Sequence, residues 1–567
     1  ADLARVRFPA TQFSARGTVQ WPRDTLLWDL AMRADSATLA DLRFLDPRFP
    51  DDAVLRGGVH VTSHSGRLLE IQLRPLDLRF GRGRLTGRVN AFSAADSGLV
   101  ALREGDLVAR DLSLDLARVY IDSLPFYGRL TGQTIVDGPM SALKIETAWS
   151  FRDSLVPGWP ESQIQGKGEI SVGEDLGFQP FSVDAARIDL GTVRQLVPAV
   201  DLQGELDATG TLTGTLKNAM FSGTLRHHDG DRPVSVVRGV VGLDFRGDVL
   251  AVYTDVHADS LALEGITSRL KDFPLRGTLT GDIRLKGPLS AVETHADLQM
   301  QGGGGAVRGD GTLLLGAEGM HPGFGARDFT LQAFDLNLQR WMARRGPPSR
   351  LTFTANGSLA ADSTTPPTGA VAVTLQPSLF VGTIIDSGKA ALHYDEGRLQ
   401  VDSFRITQPG LLTRVAGALG WKRPDRGTLT LDFDADSLCV LDSLVTWIAG
   451  PKATAATTSE DPLRGSAHVR LTLDGAMDGF SIGGDARLAD LRWRGLRVTR
   501  GRTQATYEPR GTAAPTFDVL AEFDSIAYAE LGFGAASARI TGSRDSLSWF
   551  ARSPAADLGA FLAGGRY

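Results

Sequence analysis

The residues of this chain best suited to metal or acid–base chemistry are nine histidines, His60, His64, His227, His228, His257, His295, His321, His393 and His468. The one metal-like spacing is "HVTSH", His60 and His64. Four residues apart puts two ligands on one face of a helix, whereas the local pattern is that of a strand, and no third ligand is near. "DFDADS" sets Asp432, Asp434 and Asp436 like the opening of a calcium loop. Ser437 stands where the turn glycine belongs and Ser443 where the closing glutamate belongs, so a strand with an acidic outer face is the better reading. Asp-Ser followed by Leu recurs six times, at Asp122, Asp153, Asp259, Asp436, Asp442 and Asp545. Six copies without a preceding glycine are not hydrolase nucleophiles; Asp and Ser at strand ends and helix caps satisfy loose backbone donors. "QGGGGAVRGDG" has no helix behind it and "GTIIDSGKA" lacks the Walker spacing, so neither cradles phosphate. There is no Gly-x-Ser-x-Gly elbow and no isolated carboxylate pair. The sequence reads as that of a non-enzyme with no cofactor.

The chemistry being thin, what remains is architecture. Of 567 residues 42% are hydrophobic and 22% charged, the composition of a folded chain, while 65 glycines and only 7% aromatics favour many strands and turns over aromatic-filled cores. The net charge of -6, with a pI near 5.9, gives no basic excess and argues against nucleic acid as a partner. The single Cys439 excludes an intrachain disulfide and a cysteine zinc site. No stretch reaches about 18 consecutive apolar residues, the length that spans a bilayer. The start, "ADLARVRF", and the end, "LGAFLAGGRY", read as cut rather than finished, which leads us to expect a piece of a longer protein whose anchor lies outside it.

A repeat runs along the chain. "GRLTGQTIVDGPM" from Gly128, "GELDATGTLTGTL" from Gly204, "GTLTGDIRLKGPL" from Gly277 and "GSAHVRLTLDGAM" from Gly465 each carry a second glycine ten residues on, at Gly138, Gly214, Gly287 and Gly475. The first glycines are 76, 73 and 188 residues apart, and a degenerate copy around Gly357 falls inside the long gap. Each copy alternates as a half-buried strand does. The apolar sets are Leu206, Leu212 and Leu216 in one copy, Leu275, Leu279, Ile283 and Leu285 in the next, and Val469, Leu471 and Leu473 in the last; "GTLTLDFDADSL" adds Leu429, Leu431 and Phe433. Before several copies the period becomes helical: Leu190, Val193, Leu196 and Val197 share one face, as do Leu438, Leu441, Leu444, Val445 and Ile448, and "FDLNLQRWMARR" is a shorter case. The unit is therefore several antiparallel strands and one short amphipathic helix in about 75 residues. This predicts an all-β, elongated repeat array: tandem β-groove repeats over 1–449, a low-complexity loop at 450–462, and continuing repeats over 463–567, in one continuous body.

The texture of "VDLQGELDATGTLTGTLKNAMFSGTL", "PLRGTLTGDIRLKGPLSAVETHADLQM" and "PLRGSAHVRLTLDGAMDGFSIGGDARL" resembles the bacterial AsmA/TamB superfamily, relatives of the eukaryotic bridge-like lipid-transfer proteins. The resemblance implies a twisted, U-shaped antiparallel sheet, a β-taco, whose apolar groove carries phospholipid between the inner and outer membranes. It further implies a periplasmic location, an inner-membrane anchor in the full-length protein and, for TamB-type members, an outer-membrane barrel as partner. The groove would be lined by the leucines, valines, isoleucine and phenylalanine named above. At ~15 residues per strand and ~4.8 Å between strands, the sheet would run on the order of 180 Å. The competing reading is a secreted β-solenoid, an adhesin or autotransporter passenger with a filled core; its coils run to about 20–30 residues rather than 75, and its interior needs bulkier residues than Leu, Val, Ala and Gly.

Overall fold

A computed structural model describes residues 11–21, 27–43, 50–65, 68–94, 98–118, 124, 126–173, 175–196, 202–247, 249–267, 274–315, 324–344, 346–361, 368–395, 397–441, 463–493, 495–508, 516–528, 531–543, 546–556 and 559–566. The low-complexity stretch 450–462, the second half of the helix expected from Leu438, and His321 lie outside the described residues. Contacts group the chain into two units. The N-terminal unit is residues 1–273 with Thr278–Pro288, and the C-terminal unit is Pro274–Gly277 with residues 289–567.

Both units are antiparallel meanders, as alternation punctuated by turns dictates. In the N-terminal unit fifteen strands run from Gln12–Gln20 to Thr278–Pro288, consecutive strands of the unit pairing in chain order. Among the described residues its first and last strands do not pair with each other, so the sheet is open. The C-terminal unit repeats the pattern from Val292–Met300 to Gly559–Arg566. Two of its hairpins have interrupted arms. Thr368–Leu375 continues as Ser378–Phe380 and returns as Thr383–Ile385 and Ser387–Asp395, with Gln376-Pro377 at the first break; the same occurs around Ile526–Tyr528 and Leu531–Phe533. Proline has no N–H to give the ladder, which is why it sits at the interruption.

The repeat is visible in the elements. Short helical turns begin at Leu39, Asp115, Leu190, Leu263, Leu338 and Leu438, at intervals of 76, 75, 73, 75 and 100 residues. Each of the first four intervals holds four strands. Five of the six turns drop an apolar side chain against the sheet: Leu39, Leu190, Leu263, Trp341 and Leu438 are buried. Leu190–Leu196 is the longest and has the clearest cap, with Gly191 N–H and Thr192 N–H donating to Asp189 Oδ1 at 2.9 and 3.3 Å.

A second feature keeps the same period. The strand entering each of the first five helical turns holds one extra residue against its successor, between Ala34 and Ala37, Ala109 and Leu112, Val183 and Ala186, Ala258 and Leu261, and Ala333 and Leu336. These are β-bulges, which bend a strand and sharpen its twist. Every one contains an aspartate (Asp35, Asp111, Asp184, Asp259 or Asp335), and Asp111 and Asp335 have φ of 50° and 51°, a region Asp tolerates better than most residues. Facing the first four bulges is a glycine, Gly57, Gly132, Gly210 or Gly281. Space requires it: a Cβ on Gly132 would lie 2.1 Å from the Ala148 carbonyl oxygen.

The chain exposes 33015 Å². A compact monomer of its mass exposes about 19,500 Å², and two separately compact halves about 23,500 Å².

Candidate functional site

The pairing register sorts every strand into two faces, since side chains alternate along it. One face is polar. Its cross-strand neighbours are ion pairs such as Arg84 with Asp77 (2.7 Å), Arg152 with Glu161 (3.1 Å), Arg187 with Asp207 (3.1 Å) and Arg470 with Asp432 (2.7 Å). The Arg84 hydrogen bond holds the Asp77 carboxyl below the usual carboxylate range, and Ser150, Gln163 and Arg152 do the same for Glu161. Six histidines lie here, each against an aspartate on the adjoining strand: His60 with Asp29, His228 with Asp207, His257 with Asp282, His295 with Asp310, His393 with Asp402, and His468 with Asp434. Of the residues that first suggested metal chemistry, His60, Asp432 and Asp434 are thus held by cross-strand partners. Asp432 meets Arg470, and Asp434 meets His468 and Arg414; the His468 hydrogen bond is the main reason its carboxyl stays acidic. Among the described residues no group of three potential metal ligands converges.

The other face is predominantly apolar. In the N-terminal unit one cross-strand row runs Thr147, Gly166, Val183, Gly210, Gly223, Gly239, Val256, Ile283 over eight successive strands. Beside it Ile145 faces Gly168, next to which lies Phe181 across a bulge, and the row continues through Leu212, Phe221, Val241, Thr254 and Leu285. Outside the bulges, the ionisable side chains on this face among the described residues are Asp153 and His227. Both are buried at strand ends and bonded to the backbone, Asp153 Oδ1 to Leu155 N–H at 2.8 Å and a His227 ring nitrogen to the Gln203 carbonyl at 2.7 Å. Part of the floor is closed to water, Val89, Val136, Ile145, Phe181 and Val183 each being below a tenth exposed, while Leu212, Phe221, Val241, Ile283 and Leu285 are partly exposed. No second layer covers them, so the sheet itself curls about this face, as the recurrent bulges demand.

The C-terminal unit has the same two faces. Its central row runs Val373, Ala390, Phe404, Val415, Leu431, Leu471, Gly484. Among the described residues this face carries no side chain charged at neutral pH. As in the N-terminal unit, part of this face is buried, at Ala355, Val401, Leu411 and Ala467, while Val373, Phe404, Val415, Leu431 and Leu471 are partly exposed.

The residues expected to line a groove fall on these faces. Leu206, Leu212, Leu279, Ile283 and Leu285 lie on the apolar face of the N-terminal unit. Leu429, Leu431 and Phe433 lie on that of the C-terminal unit, each directly opposite Leu473, Leu471 and Val469. Leu216 sits just past its strand, its N–H donating to the Leu176 carbonyl at 2.9 Å. Leu275 departs from the expected strand: Thr278–Pro288 begins after it, and Leu275 instead forms an isolated bridge with Met342 in the C-terminal unit, over a third exposed. Gly277 interposes a φ of 108°, which breaks the alternation that the letters suggested. Phe181, Phe221, Val241 and Val256 also belong to the floor and were not singled out from sequence, though "PVSVVRGVVGLDFRG" alternates in the same way. Phe181 and Val256 lie on bulged strands, where one extra residue inverts the alternation.

Compared with protein families, with curated proteins and with solved structures, the chain finds no match.

Proposed function

We propose that the chain is a length of a bridge-like phospholipid conduit, its apolar face holding acyl chains that slide along it between an inner and an outer membrane. The observation that carries this reading is the apolar face itself, which runs from strand to strand within each unit without a charge outside the bulges and strand ends. Two acyl chains of about sixteen carbons gain roughly 25 kcal/mol on leaving water, at ~0.8 kcal/mol per CH2, so a lipid crosses an aqueous gap only where apolar contact never lapses. An uncharged floor supplies that contact, and the polar outer face keeps the strip in solution. The likeness of the repeats to the AsmA/TamB superfamily supports the same reading and adds the periplasm, an inner-membrane anchor and an outer-membrane barrel as the setting.

A β-solenoid passenger fits less well. Stacked coils pair in parallel with a filled core, whereas among the described residues the ladders are antiparallel except for a single bridge, Gly420 with Ala476, and the apolar face of each unit is partly exposed.

Lipid extraction and mass spectrometry of the purified protein test the proposal. Phospholipid is expected to co-purify in stoichiometric amount, and to be lost from variants with Ile283→Asp or Leu471→Asp that still give a β-sheet circular dichroism spectrum. Protein that emerges from a lipid-rich host with no lipid would refute the proposal.

A further inference from the structure

The apolar face of the C-terminal unit repeatedly sets a large side chain opposite a glycine. Leu471 pairs with Gly484, Phe523 with Gly501, and Leu375 with Gly388. In each case the large side chain lies over its neighbour. A Cβ built on Gly484 would stand 2.5 Å from Leu471 Cδ2, and one on Gly501 would stand 2.9 Å from Phe523 Cδ1 and 3.1 Å from Phe523 Cε1. On Gly388 it would stand 3.0 Å from Leu375 Cβ. These glycines are not needed for backbone conformation, since none of the three has a positive φ. Their role is the space that a missing side chain leaves.

We infer that these glycines are depth-setting residues of the proposed conduit: each lets a leucine or phenylalanine lie flat across the neighbouring strand, so that the volume above the floor stays free for an acyl chain. The inference rests on the lipid-conduit reading and assigns the depth of that site to particular residues. The N-terminal unit uses the same device, with the Phe181 ring over Gly166 (2.7 Å from Cε1 to the built Cβ) and the Phe221 ring over Gly210 and Gly223. There the glycines also approach backbone carbonyls, so any substitution would disturb the ladder. Gly501 is the clean position, only side-chain atoms lying in the way, and at Gly484 the nearest atom is Leu471 Cδ2, with the Arg470 carbonyl oxygen farther off at 3.1 Å. With a methyl in place, Leu471 and Phe523 must turn up into the space above the floor, narrowing it where the surface is partly exposed.

The test is a titration of the delipidated chain with cis-parinaric acid, a fluorescent linear acyl chain. We expect the double variant Gly484→Ala/Gly501→Ala to bind at least threefold less than wild type with an unchanged β-sheet spectrum. Trimming the displaced side chains in the same background, with Leu471→Ala and Phe523→Ala, is expected to restore binding, which a merely destabilising substitution would not allow. Binding unchanged in the glycine variants, or unrestored by trimming, would overturn the inference while leaving the conduit reading intact. A wild-type chain that binds no parinaric acid and carries no lipid would sink the conduit reading and the inference with it.

Discussion

Leu431 and Leu471 stand directly opposite one another on the apolar face of adjoining strands, although the whole low-complexity stretch lies between them in the chain. Both are half-buried, facing a surface with no charge. An aspartate at either position would place a carboxylate where a lipid tail is proposed to lie, at a cost of several kcal/mol if it were covered. Leu431→Asp and Leu471→Asp are each expected to lower co-purified lipid at least tenfold, which corresponds to only about 1.4 kcal/mol. Thr430→Asp, on the polar face of the same strand, is expected to leave lipid content unchanged, and the comparison by mass spectrometry separates a face effect from a folding effect.

Ala258 and Ala333 border two of the recurring bulges and are fully buried. Leucine at either site overpacks a position already filled, at about 1–3 kcal/mol. Ala148, exposed on the polar face, accepts leucine within about 0.5 kcal/mol. Urea midpoints of the three variants should rank accordingly; equal midpoints would mean that the bulges are not tightly packed.

Asp189 caps the helical turn Leu190–Leu196. Asp189→Ala is expected to cost about 1 kcal/mol, with Asn restoring most of it. Leu190, 2% exposed, anchors the same turn, and Leu190→Ala should cost about 2–5 kcal/mol. Amide exchange confined to residues 190–195 would register the first substitution, whereas the second should also loosen the adjoining strand Leu176–Asp189.

Acid should loosen the polar face in a defined window. Hydrogen bonds from Arg246 hold the Asp244 carboxyl down at about 2, and Arg539 and His468 lower Asp518 and Asp434 in the same direction. A carboxylate more acidic in the folded than in the unfolded chain stabilises fully above its unfolded value, ~3.9, and that stability is lost as pH falls through the folded value. Thermal midpoints should therefore be level from pH 7 to 5 as far as these groups are concerned and decline between about 4 and 2. The individual effects are small because the pairs are solvated. Arg246→Ala should flatten part of the decline.

Much of this architecture is written in the letters, and the parts that are not have a physical reason. The strands around Leu206, Ile283 and Val469 declare themselves by alternation, and the helical turn at Leu190 by its change of period. The paired glycines of the repeat prove to have positive φ at both ends of the strand, as in Gly204 (93°) and Gly214 (94°), so the motif records backbone shape. What alternation conceals is the bulge. Between Val183 and Ala186 the apolar face passes from odd to even positions, and a reader keeping strict period two loses the face there. The aspartate in each of the five bulges before a helical turn, at intervals near 75, is the signal that would have located them. Leu275 erred the other way: its letters alternate with Leu279, but the glycine between them turns the chain.

Because each strand of the meander rests on its chain neighbours, no long-range closure fixes how many strands there must be. The strand Leu176–Asp189 meets Glu205–Thr215 as Ala251–Ala262 meets Thr278–Pro288, bulge against glycine in both joints, Val183 facing Gly210 and Ala258 facing Gly281. The two joints are interchangeable parts. Excising residues 204–276 would let the first strand dock on the last with that geometry kept, so that duplication or loss of one 73-residue cassette changes the reach of the chain in steps while leaving the surface it offers the same.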